Sequence, residues 1–300
     1  MTPEEICAHA PRLLSAADRQ RYFDEGGIVV PDLVDRAWLE RCRAAVARLQ
    51  KESADLTQSD AIFDLEPGHR ADTPRLRRIS SPCDQDPVFW ELLTEGPLGD
   101  LAVDLLGPDV KFYQAKLNFK SPRGGTEVRW HQDAPFFPHT NHAVLTMGVY
   151  LDHCSLAQGP LEIIPGSHKG EVYNHYDAAG EWRGEMSADD CVKVAGVTPR
   201  IFDGAAGAVT VHNYRTVHGS KPNRSESPRP LLLYVLSAAD ALPYTAQPLK
   251  SRYEQAVVRG VPAAFAHHEP GRFRLPPDWS GGYSSIFVLQ QQEARKAAGS

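Results

Sequence analysis

Val110-Lys111-Phe112-Tyr113-Gln114-Ala115-Lys116-Leu117-Asn118-Phe119-Lys120 is where the texture of the chain changes. Gln114, Lys116, Asn118 and Lys120 alternate with Ala115, Leu117 and Phe119, the two-residue period of a strand. Short β-prone runs bounded by turn residues follow at Val144–Leu151, Leu161–Ile164, Ala208–His212 and Pro230–Leu236. Their connections are irregular in length and show no regular βαβ alternation. A mainly β jelly roll or similar two-sheet barrel is therefore expected, rather than a parallel doubly wound sheet. Between Leu151 and Ala208 lies one clear strand and a long polar insert, the kind of segment that often forms a lid over a site.

Upstream the period is helical. Asp35 can cap a helix in which Trp38, Leu39, Cys42, Val46 and Leu49 recur at three- and four-residue steps while Arg41, Arg43, Arg48 and Lys51 face away. Residues Asp55 to Pro74 are polar and broken by Pro67 and Gly68, and a second helical piece around Pro87–Leu106 ends at Gly107-Pro108. The expected organisation is one domain over 1–300: helical support over about 15–106, a β core over about 110–240 and a C-terminal extension over 241–300.

The 300 residues are 42% apolar and 23% charged, within the globular range, with a formal net charge of −6. Lys and Arg are scattered singly, so no footprint for nucleic acid is expected. No stretch approaches the apolar length of a membrane span, and the N-terminus has no basic segment followed by an apolar run. A cytoplasmic protein with a small-molecule partner is the simplest expectation. Cys7, Cys42, Cys83, Cys154 and Cys191 are widely spaced and form no Cys-x-x-Cys pair, which suits reduced thiols rather than a zinc or dithiol site. The oligomeric state is not legible.

In Val128-Arg129-Trp130-His131-Gln132-Asp133, two residues separate His131 from Asp133, so on an extended segment both side chains point to one side. A lone His-x-Asp is common, and usually only a loop hydrogen bond. His218, in Tyr214-Arg215-Thr216-Val217-His218-Gly219-Ser220 after an apolar strand, can be delivered beside that pair. Two imidazoles and a carboxylate on one face of a metal form the facial triad of oxygen-activating ferrous enzymes, although zinc tolerates the same ligands. Arg229 opens the next apolar run, and its guanidinium suits the distal carboxylate of a dicarboxylate that chelates the metal through a keto end. Ser220 could donate to the same carboxylate.

Trp130-His131-Gln132-Asp133, Ile164-Pro165-Gly166-Ser167-His168, and His218-Gly219-Ser220 with Asn223-Arg224-Ser225 and Arg229 together resemble the phytanoyl-CoA dioxygenase family, which includes ectoine hydroxylase. The resemblance covers roughly residues 20–240. It implies a double-stranded β-helix of cupin-like form, Fe(II), 2-oxoglutarate and O2 as cosubstrates, and oxidation of a C–H bond with release of succinate and CO2. It places Gln114 and Asn118 inside the barrel as candidate cofactor-binding residues, with Asn118 on the 2-oxoglutarate; read from the alternation alone, that face would be a solvent face. Lys116 is left open. Halogenating relatives lack the carboxylate of Asp133, so hydroxylation, or a related desaturation or cyclisation, is preferred.

The chain departs from the family pattern at Gly159-Pro160-Leu161-Glu162, expected to touch a turn rather than a ligand. His168 looks like a structural signature, and His139, His142, His153, His175, His212, His267 and His268 are expected at the surface or behind the ligands. Phe136 and Phe137 could wall a pocket or pack in the core. Arg123 and Arg129 could meet an anionic substrate, though loop arginines are more often solvated. Tyr253, Phe265, Phe273, Trp279 and Tyr283 of the extension could cover the barrel mouth. Two rival classes are a jelly-roll metalloenzyme independent of 2-oxoglutarate, against which Arg229 argues, and a non-catalytic binding module, against which the complete triad argues.

Overall fold

A computed structural model of the chain describes residues 1–124, 127–280, 286, 287 and 290. In chain order its elements are α1 (Pro3–Ala8), α2 (Ala16–Glu25), β1 (Gly27–Val30), α3 (Arg36–Glu52), β2 (Phe63–Leu65), β3 (Leu76–Ser80), α4 (Pro82–Gln85), α5 (Pro87–Thr94) and α6 (Leu98–Leu106). There follow β4 (Val110–Lys120), β5 (Val128–His131), β6 (Val144–Tyr150), β7 (Leu161–Ile163), α7 (Ala188–Val194) and β8 (Arg200–Phe202). The last are β9 (Val209–Asn213), β10 (His218–Ser220), β11 (Arg229–Ala238) and β12 (Val257–Arg259).

Two antiparallel sheets carry the fold. The larger runs β1-β9-β6-β11-β4-β3-β2, with β12 also on β4, and the smaller runs β5-β10-β7-β8. This is the double-stranded β-helix expected of the chain. All ten residues of β11 and all seven of β6 are buried, because these central strands have helices behind them and the smaller sheet in front.

The helices cover the back of β4 and β11. Phe89, Leu92 and Leu93 of α5 and Leu98, Leu101 and Leu105 of α6 are buried in the main core, each worth roughly 1.5–3 kcal/mol relative to exposure. Tyr234 of β11 donates its hydroxyl to the Phe89 carbonyl at 2.7 Å, tying sheet to helix. Asp35 caps α3 as its position predicts, accepting from the Trp38 amide at 3.0 Å. The apolar piece at 87–106 is two helices rather than one, because Pro97 has no amide to continue the first. The polar stretch 55–74 holds the short strand β2, whose partner β3 had no clear alternation to announce it. All five cysteines are free thiols, and among the described residues no helix is long and apolar enough to cross a membrane.

Register decides what reaches the interior. Along β4, Lys120 is opposite Arg229 of β11, Asn118 opposite Leu231, Lys116 opposite Leu233 and Gln114 opposite Val235. Ala115 and Leu117 pack into the helix-backed core, while Gln114, Lys116, Asn118 and Lys120 line a cavity between the sheets. The polar face of the strand is thus an interior surface, not a solvent face.

Candidate active site

His131 ends β5 and His218 begins β10, and these two residues are directly paired across the ladder. Asp133 lies just past the strand, in a loop that Gln132 fastens: its Nε2 donates to the carbonyls of Arg215 (2.6 Å) and Glu171 (3.2 Å), and its Oε1 accepts from the Tyr173 amide (2.8 Å). Ligand atoms of His131, Asp133 and His218 all fall within 4.8 Å of one another, and all three residues are buried. Among the described residues this is the one such group.

The surroundings prepare these groups for a metal. His131 Nδ1 meets the Arg129 carbonyl at 2.8 Å and His218 Nδ1 meets the Thr216 carbonyl at 2.9 Å, leaving each Nε2 for an ion. Burial pushes His131 down to about 4 and His218 well below the ordinary histidine value, so both are the neutral donors a metal needs. Burial alone would raise the Asp133 carboxyl, but His218, His212 and Lys116 around it hold it well below the usual carboxylate range. Thr146 of β6 donates to Asp133 Oδ2 at 2.7 Å, fixing the carboxylate. A buried, preoriented set of two neutral imidazoles and one carboxylate fits ferrous iron with coordination positions to spare.

The cavity and the solvent-open space at its mouth together span about 890 Å³. At one end Arg229, 4% exposed, donates Nη2 to the Gly159 carbonyl at 3.3 Å, while its Nε is buried without a partner. Beside it, Lys120 is 1% exposed and its ammonium meets only the carbonyls of Ser220, at 3.1 Å, and Lys221. Neither cation has an ion pair among the described residues, so this end of the cavity is built for an anion. Ser220 and Asn118 line the same cavity, and Asn118 Oδ1 accepts from Arg78 Nε at 3.0 Å. Gly159 sits at φ +65°, where a Cβ would stand 2.0 Å from the Lys221 carbonyl oxygen, so the turn that opens Gly159-Pro160-Leu161-Glu162 also supports the arginine.

Toward the other end, Gln114 is 2% exposed with its Oε1 unpartnered, and Lys116 is pushed down to about 8 by burial, against the pull of Asp133. Phe136 and Phe137 are buried wall residues, Phe136 packing edge-on against His131 and Trp182. From the extension, Pro248, Leu249, Ile286 and Phe287 line the cavity, and Trp279 donates its indole N–H to the Phe136 carbonyl at 3.0 Å. Tyr253 instead stacks on Trp90 at 4.0 Å, Phe265 is exposed, and Tyr283 lies outside the described residues. Arg123 and Arg129 pair with Glu226 and Glu185 and do not line the cavity.

Four participants were not legible as such. Thr146, Arg78 and His212 line the cavity, yet Thr146 reads as one residue of an apolar run and His212 as one histidine among twelve. His175 is 1% exposed and accepts from the Gln132 amide at 3.1 Å, bracing the loop that holds Asp133.

A family model described as phytanoyl-CoA dioxygenase matches residues 22–231. The chain is 32% identical to a probable alpha-ketoglutarate-dependent hypophosphite dioxygenase of Stutzerimonas stutzeri, over 93% of this chain and 99% of that protein. It is 26% identical to an ectoine dioxygenase of Bordetella parapertussis, over 76% of each. Among solved structures, EctD from S. alaskensis with 2-oxoglutarate and 5-hydroxyectoine matches with a TM-score of 0.66 at 25% identity, covering 85% of this chain and 87% of that one.

Proposed function

The chain belongs to the phytanoyl-CoA dioxygenase family and is an Fe(II)- and 2-oxoglutarate-dependent dioxygenase; on that premise we propose which residues run the reaction and on what. His131, Asp133 and His218 hold the iron. Arg229 anchors the distal carboxylate of 2-oxoglutarate, with Lys120, Ser220 and Asn118 beside it, and Gln114 faces the substrate. The observation that carries this reading is a buried His-Asp-His cluster in one cavity with an unpaired buried arginine. Bound there, iron and 2-oxoglutarate together activate dioxygen, oxidising the substrate while the cosubstrate is cleaved to succinate and CO2.

The protein's own work is position and exclusion of water. Thr146 holds Asp133, the backbone carbonyls behind His131 and His218 fix both rings, and Phe136 with Ile286 and Phe287 makes the wall apolar. The reaction is hydroxylation of a small molecule by a single cytoplasmic domain. Oxidation of a C–H bond, as in ectoine, is one form. The relative aligned over almost its whole length favours a second, in which the bond is the P–H of hypophosphite.

Anaerobic addition of iron(II) and 2-oxoglutarate should raise the weak visible charge-transfer band of a chelate. Succinate release is then screened in air with hypophosphite and with ectoine. Absence of the band with iron bound would refute the assignment of the Arg229 end to 2-oxoglutarate.

A further inference from the structure

The cavity is over-supplied with positive charge. Arg78, Lys116, Lys120 and Arg229 all line it, and among the described residues Asp133 is its only carboxylate. Iron adds two more positive charges, and 2-oxoglutarate brings only two carboxylates. Arg229 and Lys120 occupy one end, where they account for the distal carboxylate. Lys116 does not belong to that pair: it stands four residues along β4 from Lys120, about 13 Å at strand rise. Among the described residues its ammonium makes no hydrogen bond or close ion pair and feels only the longer-range attraction of Asp133. A lysine beside a metal site repels the ion, so it is not there to bind it. It calls for a second anion.

The groups around Lys116 agree. His212 of β9 is 2% exposed, and neither of its ring nitrogens has a hydrogen-bond partner. Its ring lies 4.2 Å from that of His218, and its Nε2 approaches Asp133 Oδ2 to 3.4 Å without forming a hydrogen bond. Gln114 offers a carboxamide with an unpartnered end. Buried polar atoms without partners are rare and costly, and here they come from β4 and β9, two strands of one sheet with β6 and β11 between them, and line the same cavity. The β6 rung brings His212 and Thr146 face to face, and Thr146 in turn holds Asp133. A molecule bound by these groups lies against the metal centre.

We infer that Lys116, His212 and Gln114 form an anion subsite that holds the substrate by a compact oxyanionic group, with Arg78 adding charge behind it. This deepens the dioxygenase reading above and rests on it. The shared chemistry is a small oxyanion, which is either a whole inorganic substrate or the carboxylate of an organic one. Lys116 supplies up to three N–H donors and His212 one, while a flip of the Gln114 amide presents its N–H groups or its oxygen.

The test is calorimetric titration of the anaerobic enzyme carrying iron(II) and 2-oxoglutarate, so that no turnover interferes. The probes are sodium hypophosphite, ectoine and the neutral N-methylacetamide. One of the two oxyanion-bearing probes, the anion hypophosphite or the zwitterion ectoine through its carboxylate, should bind at least tenfold tighter than the neutral probe, the first marking an inorganic substrate and the second a carboxylate. Lys116→Met should weaken that probe by about tenfold or more, Lys116→Arg should keep most of the affinity, and His212→Phe should weaken it while 2-oxoglutarate binding stays at the parent value in all three. Oxyanion affinity no better than that of N-methylacetamide, or unchanged in Lys116→Met, overturns the subsite alone. Failure of the parent to take up 2-oxoglutarate overturns the dioxygenase assignment and the subsite with it.

Discussion

His131 and His218 are register partners on adjacent antiparallel strands, and their ring centroids stand 4.1 Å apart. The candidate ligand pair is therefore a cross-strand pair: the ladder that joins β5 to β10 also sets the gap between the two imidazoles. Asp133 joins them from a loop rather than from the strand.

Removing a ligand should empty the centre without dissolving the sheet. His218→Ala and Asp133→Ala are expected to lose stoichiometric iron and 2-oxoglutarate-dependent turnover while keeping the parent's far-ultraviolet circular dichroism. Metal analysis after anaerobic loading checks this. Full iron content in either variant, with an unaltered product, would displace the triad from the role assigned to it.

Thr146 touches no metal, yet its hydroxyl fixes Asp133. Thr146→Val keeps the shape and deletes the donor, so iron should bind about 10–100-fold more weakly, the usual range for groups that orient a ligand. Thr146→Ser should recover most of it. Competition with a chromophoric chelator reads both variants, and equal affinity for Val and Thr would refute the positioning role.

Arg229 should matter for the cosubstrate and not for the metal. A charge-assisted hydrogen bond is worth roughly 1.5–3 kcal/mol, so Arg229→Ala should raise the 2-oxoglutarate concentration that half-saturates the chelate band by at least about tenfold. Iron stoichiometry should stay at the parent value. Arg229→Lys should recover only part of the loss, because an ammonium cannot reproduce the planar fork. If Arg229→Ala binds 2-oxoglutarate normally, Lys120 is the anchor.

Gly159 holds up the Arg229 end from behind. At φ +65°, with the Lys221 carbonyl where a Cβ would go, Gly159→Ala must displace backbone that also receives the Lys120 ammonium. We expect a stability loss of about 1–3 kcal/mol, as for a strained left-handed residue, together with weaker 2-oxoglutarate binding. Urea unfolding and the chelate titration measure the two effects separately. No change in either would mean that the turn yields freely.

His139 gives a pH signature of the fold itself. Packed against Tyr113 and Tyr214 and 1% exposed, it is pushed by burial from 6.5 down to about 4. The unfolded chain takes up its proton below about 6.5 and the folded chain does not until about 4, so stability is full above the upper value and falls as pH drops between the two. From pH 7 to pH 5 this one group should cost on the order of 2 kcal/mol, at about 1.4 kcal/mol per pH unit below 6.5. His139→Phe should flatten the urea-unfolding free energy over that interval by a similar amount, and an unaltered slope would reject the attribution.

Much of this was open to reading from local pattern. The alternation over 110–120 marked β4 to its ends, Asp35 marked the start of α3, and His131, Asp133 and His218, which the structure brings together, were picked out by residue type and spacing. Such features are local: a strand's period, a cap and a His-x-Asp pair need only a few consecutive residues. Short strands such as β2, β8 and β12 were missed because three residues carry no period; they exist only because a partner strand completes their hydrogen bonds. The split of 87–106 at Pro97 was local and should have been read.

The direction of the polar face of β4 is of the other kind. Gln114, Lys116, Asn118 and Lys120 would alternate identically facing water or facing a cavity, since period two is the same on either side of a sheet. Only the closing of the smaller sheet over the larger turned that face inward. His212 shows the same limit. One histidine among twelve in the chain, it is set apart by neighbours contributed by β6, β10 and the loop of Asp133. The candidate ligands could be picked out along the chain because a metal selects residue types. The unpaired charge and the orphaned imidazole that point to the substrate arise from burial, and burial is a property of the assembled sheets.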